Sequence, residues 1–156
     1  MENQPADKNK QMAWILSILG LVPFVLIAVT ILFLDSSNAA IDPIFSIFRT
    51  YSALMLTFLG GIRWGYIMRE DNEFVETKAL IISVLPALLA WMALLAPQEF
   101  APITLLVFLL AFCAHGAWDS FAGNSERLPV WYSNLRVKIT LAVAACHIVV
   151  FIVVGN

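Results

Sequence analysis

Five long apolar stretches fill almost all of the chain's 156 residues, and the lysines and arginines between them fall on alternate sides. About 20 consecutive apolar residues make a helix long enough to cross the hydrocarbon core of a bilayer. That core has no water to satisfy a free backbone amide, so a spanning segment must pair its own amides, as a helix does. The sequence therefore reads as an all-α polytopic membrane protein, a five-transmembrane-helix bundle. The runs are continuous rather than alternating at period two, which argues against a β-barrel. Hydrophobic residues make up 61% of the chain and charged residues 13%, whereas soluble domains carry about 25% charged residues.

The expected organisation is one membrane domain over residues 1–156, with helices at about 12–34, 43–68, 77–96, 102–121 and 129–154. Pro23 and Pro86 fall inside the first and third spans. Asp42 followed by Pro43 reads as an N-cap with proline at the first helical position. The uncharged stretch 11–34 is longer than the roughly 7–15 apolar residues of a signal peptide, so the first helix is expected to be retained.

Basic residues set the expected orientation. Lys8 and Lys10 precede the first span, Arg69 and Lys78 bracket the second loop, and Arg127, Arg136 and Lys138 mark the fourth. The first and third loops have only Arg49 between them. By the positive-inside rule the N-terminus is cytoplasmic and the C-terminus periplasmic, with a bacterial inner membrane as the simplest location. Trp64, Tyr66, Trp118, Trp131 and Tyr132 lie near the cytoplasmic helix ends, where amphipathic rings favour the headgroup layer or wall a pocket. No basic stripe points to nucleic acid. Cys113 and Cys146 both fall inside apolar runs and read as reduced, small core residues.

Ionisable groups inside the spans are the candidate site. The uncharged segment 50–62 between Arg49 and Arg63 is too short to span. Arg63 therefore lies within the inner leaflet, roughly 9 Å along the helix from Arg69. There it must snorkel or find a partner. In Leu59-Gly60-Gly61-Ile62-Arg63-Trp64-Gly65, Gly61 and Gly65 form a small-xxx-small pair that permits close helix approach, with Gly60 beside them. His115 and Asp119 share one face of the fourth helix. Asp119 is at the depth of Arg63 and is its candidate partner, with Arg136 as the rival. On the fifth helix Tyr132, Arg136, Thr140 and His147 form a continuous polar stripe that must face protein or a cavity.

Two histidines at matching depth are the minimum for bis-histidine haem ligation, and haem is the one cofactor the pattern leaves open. Otherwise no cofactor is expected. No metal site is expected either, because Cys113 and His115, and Cys146 and His147, are turned apart around their helices. No P-loop, Rossmann, zincin or nucleophile-elbow fingerprint occurs, so nothing points to an enzyme.

The motifs Leu59-Gly-Gly-Ile-Arg-Trp-Gly65 and Leu128-Pro-Val-Trp-Tyr-Ser-Asn-Leu-Arg136 resemble those of the transmembrane protein 69-like family. These are small membrane proteins of bacteria and mitochondria that carry a domain of unknown function. The resemblance runs from the first helix through the fifth and implies a compact helix bundle with no assigned activity. In size, span number and tryptophan content the chain is also similar to the tryptophan-rich sensory (translocator) proteins, which bind porphyrins and sterol-like lipids.

The expectation is a membrane binding module for a hydrophobic ligand (quinone, isoprenoid or lipid) or a partner membrane subunit. Its cytoplasmic-leaflet pocket would be lined by Arg63, Trp64, His115, Trp118, Asp119, Trp131, Tyr132 and Arg136. The alternatives are a proton-coupled carrier using His115, Asp119 and His147, or a structural subunit with no ligand.

Overall fold

The computed structural model describes residues 4–34, 38–69, 77–124 and 130–155. Its helices are α1 (Gln4–Leu32), α2 (Ile41–Arg69), α3 (Thr77–Leu95), α4 (Ala101–Asn124) and α5 (Val130–Val154). One turn of 3-10 helix, Gln98–Phe100, leads into α4. All five helices contain a stretch long and apolar enough to cross a membrane.

Helix ends differ from expectation at the starts of α1 and α2, and α4 runs on to Asn124 rather than about residue 121. α1 begins at Gln4 rather than near residue 12, because Lys8 and Lys10 are helical and exposed. The helix thus runs past the end of its apolar stretch. At the start of α2 Asn38, not Asp42, supplies the cap: its side-chain oxygen accepts from the Ala40 amide at 2.9 Å and its carbonyl from Ile41 at 3.0 Å. Asp42 lies in the first turn, where it accepts from the Gln98 side chain at 3.2 Å and ties the α3–α4 turn to α2.

Short connections make sequential helices antiparallel, so α1, α3 and α5 begin, and α2 and α4 end, at the same side of the bundle (the amino end). Two glycines set the closest crossings. A Cβ on Gly60 would stand 2.6 Å from the Ser83 carbonyl oxygen, so α2 and α3 meet backbone to backbone. A Cβ on Gly116 would stand 2.5 Å from Thr140 Oγ1, so α5 seats a side chain directly on the α4 backbone. At the far end Arg49 donates to the Ala96 carbonyl at 2.8 Å, just past the end of α3. The Tyr51 hydroxyl donates to the Gly20 carbonyl at 2.8 Å and fastens α2 to α1. That carbonyl neighbours the one on Leu19, which Pro23 leaves without its amide donor.

Aromatic rings fill the core between α1, α2, α4 and α5. Phe24 meets Tyr51, Phe48 and Phe112 edge-on at centroid distances of 4.9, 5.6 and 5.9 Å. Outside the bundle the pattern of a soluble protein is inverted. Leu16, Leu26, Ile81, Trp91, Met92 and Leu141 are each at least 60% exposed, while Arg63, His115, Asp119, Arg136 and His147 are buried. Water would favour the opposite partition; hydrocarbon demands this one. The chain is a multi-pass membrane protein. Cys146 is in the core, but Cys113 is on the outer surface and is not a core residue.

Candidate functional site

Near the amino end, three helices converge on a single carboxylate. Asp119 of α4 is 2% exposed. Its Oδ2 accepts from Arg136 Nε of α5 at 2.9 Å and stands 3.4 Å from His115 Nδ1, one turn earlier on α4. Its Oδ1 faces Arg63 Nε of α2 at 3.3 Å. That last contact is an ion pair without hydrogen-bond geometry. Arg63 spends a different donor, Nη2, on the Trp118 carbonyl at 3.3 Å, and its guanidinium carbon lies 4.3 Å from the Trp118 ring centroid. The two arginines weighed as rivals for Asp119 thus both reach it.

His115 completes the group. Its Nδ1 is 3.5 Å from Arg136 Nη2 as well as near the carboxylate, and its buried Nε2 has no partner. The cluster is unbalanced in charge. Arg63 and Arg136 carry two positive charges, and Asp119 is the one carboxylate that the described residues bring into contact with them.

His147 is in a different environment. It is fully buried, with its ring centroid 4.8 Å from that of Phe48, 5.4 Å from Phe112, 5.6 Å from Phe24 and 6.4 Å from Phe108. The Val143 carbonyl, 2.9 Å from Nδ1, can only accept, so Nδ1 carries a proton. The single Ser52 hydroxyl proton then lies between the Phe48 carbonyl at 2.8 Å and His147 Nε2 at 3.2 Å. None of these partners belongs to the Asp119 cluster. The polar stripe of α5 serves two neighbourhoods, not one relay.

Two cavities flank the cluster. The larger, about 470 Å³, lies between α1, α2 and α5. Phe24, Phe112, Leu135 and Val143 form its buried floor, and Ser17, Tyr132, Arg136 and Thr140 are the polar part of its wall. The exposed rim residues Leu16, Phe58 and Ile62 place its mouth on the outer, lipid-facing surface of the bundle. A smaller one, about 370 Å³, lies between α3 and α4, with His115 and Trp118 in its wall. Arg136 therefore bridges the carboxylate and the larger cavity, and His115 bridges the carboxylate and the smaller one. Apolar walls with a few convergent polar groups are the usual composition of a small-molecule site.

The other expected residues divide. Trp131 is half-buried and stacks edge-on with Tyr132 at 6.0 Å. Thr140 is buried against Gly116, and its hydroxyl has no partner. Trp64 is 45% exposed and points out of the bundle, one helical step from Arg63, so it is not part of the cluster. Gly61 and Gly65 have no atom within 4 Å of where a Cβ would stand. Among the described residues they form no helix crossing; Gly60 does. Ser52, Gly116 and the phenylalanines around His147 were not anticipated, and only Gly116, beside His115, had a sequence signal.

The family model for a protein of unknown function (DUF3429) matches residues 9–152. Transmembrane protein 69 of Xenopus tropicalis is 33% identical over 108 residues, which cover 68% of this chain and 39% of that protein. The mouse protein of the same name is 31% identical over 111 residues, covering 68% of this chain and 42% of its own length. The chain thus spans about two fifths of the relatives it matches. No solved structure matches. The match over nearly every described helix, with the buried arginines of α2 and α5 inside it, shows that the chain belongs to the DUF3429 family, together with proteins named transmembrane protein 69.

Proposed function

We propose that the protein is a membrane binding module that holds a hydrophobic ligand, such as a quinone, isoprenoid or lipid, in the cavity between α1, α2 and α5. The observation that carries this reading is a laterally open apolar cavity of about 470 Å³ with Arg136, Tyr132 and Thr140 in its wall. A volume of this size falls within the roughly 300–1,000 Å³ of ligand sites. The ion cluster behind Arg136 fixes one polar edge of the cavity, as a binding site requires. We place the amino end in the cytoplasmic leaflet of a bacterial inner membrane. The reason is the excess of lysine and arginine at that end, Lys8, Lys10, Lys78, Arg136 and Lys138 among them.

Gly20 supplies the test. It lines the cavity, and its Cβ position is free of neighbours. Leucine there enters the cavity without clash at Cβ and improves helix propensity. Mass spectrometry of molecules extracted from the purified protein should find a hydrophobic species with wild type and not with Gly20→Leu. Equal recovery from both, or none from wild type, would leave a structural subunit as the better description.

A further inference from the structure

We infer that the ligand of the larger cavity is an anionic amphiphile, with a carboxylate or phosphate head on Arg136 and a single apolar tail running toward Phe24 and Val143. This rests on the cavity being a ligand site and specifies what that site selects. The first support is charge. Arg63 and Arg136 are both more than nine-tenths buried, and a single carboxylate stands between them. The two guanidinium groups share that one carboxylate, so the cluster itself carries a net positive charge in a region where buried charge is costly. Lys138, whose ammonium lies 5.4 Å from the Trp14 ring centroid, is a further cation at the α1–α5 edge but is not part of the cavity wall. An anion in the cavity would complete this arrangement, whereas a neutral quinone or isoprenoid would leave it unbalanced.

The second support is geometry. Arg136 lies in the second turn of α5, and Val143, also in the cavity wall, is roughly 10 Å farther along the same helix. Apolar residues line the cavity along its whole length, while its charged group, Arg136, and Tyr132 lie toward the shallow end and Phe24 and Val143 at the deep end, the order in which a lipid presents its head and tail. Thr140 lies between the two ends in the wall, but its hydroxyl is turned onto the α4 backbone at Gly116, so Arg136 and Tyr132 are the polar groups that α5 offers to a head. The mouth at Leu16, Phe58 and Ile62 opens sideways, so entry from the bilayer needs no passage through water.

The test compares three probes with the same unsaturated chain: oleate, oleoyl lysophosphatidate and oleyl alcohol. Each is titrated against the full chain in phosphatidylcholine nanodiscs, with empty nanodiscs as background. Wild type should bind at least one of the anions about tenfold or more tighter than the alcohol, the factor one charge-assisted hydrogen bond supplies. A preference for the carboxylate alone marks a free fatty acid as the source, and one for the phosphate alone marks a lipid headgroup. Arg136→Gln should bring the anion down to the level of the alcohol, and Gly20→Leu should abolish binding of all three. Equal affinity of wild type for the three, lost in Gly20→Leu, overturns the anionic head while leaving the cavity as a hydrophobic site. Failure of all three to saturate, or binding indifferent to Gly20→Leu, overturns both. The wild-type comparison decides even if Arg136→Gln does not fold.

Discussion

Removing the Asp119 carboxylate should be the most damaging single change to the cluster, and the effects of its partners should be unequal. At an effective dielectric of about 20, two unit charges about 4 Å apart attract by roughly 4 kcal/mol. Asp119 collects two such attractions, through Arg136 at 2.9 Å and Arg63 at 3.3 Å. Asp119→Leu forfeits both and leaves two buried cations facing each other. Breaking one buried pair costs about 3–5 kcal/mol, and this change is expected at or above the top of that range. Arg136→Leu removes a well-formed hydrogen bond but leaves Asp119 with Arg63, for a cost of roughly 3 kcal/mol. Arg63→Leu removes only the longer ion pair, the Trp118 carbonyl bond and the ring contact, for about 2 kcal/mol.

The discriminating quantity is the coupling between positions. Polar contacts across membrane helices average only about 0.6 kcal/mol in double-mutant cycles, because the unfolded chain in the membrane also finds partners. A charged pair excluded from lipid should exceed that. Coupling of Asp119 to Arg136 is expected at about 2 kcal/mol, and to Arg63 at about 1 kcal/mol, within the range seen for residues in contact. Reversible unfolding in mixed micelles, followed by circular dichroism so that a changed Trp118 environment does not contribute, gives both cycles. Additivity within 0.5 kcal/mol for both arginines would refute the convergence on Asp119. Stronger coupling to Arg63 than to Arg136 would refute the ranking drawn from the two distances.

Other expectations follow from the helix crossings and the second polar group. Gly116→Ala should destabilise by about 1–3 kcal/mol through its clash with Thr140, and Thr140→Ala in the same chain should restore part of the melting temperature. Gly60→Ala meets a backbone oxygen that has no rescue, whereas Gly61→Ala and Gly65→Ala should be neutral or stabilising by up to about 1 kcal/mol; a loss there would mean that another chain covers that face. His147→Ala should cost about 3 kcal/mol for the void among four phenylalanines, while Ser52→Ala should cost about 1 kcal/mol, both read from thermal unfolding. With Cys113 and Cys146 replaced, single cysteines at Ser37 and Gln98 should react with an impermeant thiol reagent from the periplasm and one at Asn72 should not; the reverse would invert the orientation.

Features that depend on one helix at a time were legible in the sequence. The five spans follow from apolar length, and the stripe Tyr132, Arg136, Thr140 and His147 follows from helical period. That Arg63 lies inside the membrane follows from segment 50–62 being too short to span, though not whether it snorkels or pairs. What depends on the rotation of one helix against another was not legible. Gly60, Gly61 and Gly65 lie within two turns, and a spacing rule chose the Gly61–Gly65 face, whereas α3 approaches at Gly60. Trp64 follows Arg63 in the motif but lies about 100° around the helix from it, enough to turn the ring outward. Cys113 erred in the same way: an apolar run in a membrane helix has an outer face as apolar as its inner one, so hydropathy does not say which residues are core.

The separation of His147 from His115 shows how far a shared helix face can carry a functional reading. Arg136 and His147 lie on one stripe, yet they are roughly 16 Å apart along α5, and a helix that crosses its neighbours at an angle meets different ones over that distance. At the amino end the stripe meets α4, where Thr140 rests on Gly116 and Arg136 reaches Asp119. Three turns deeper it meets the phenylalanines of α1, α2 and α4, where His147 finds Ser52. A proton carrier needs its titratable groups in hydrogen-bonded sequence, and here aromatic rings surround the deeper one. A binding module needs something else: a charged edge held rigid by a carboxylate, beside an apolar volume with a way in from the bilayer. Arg136 meets that requirement, since the same guanidinium that Asp119 fixes also lines the cavity.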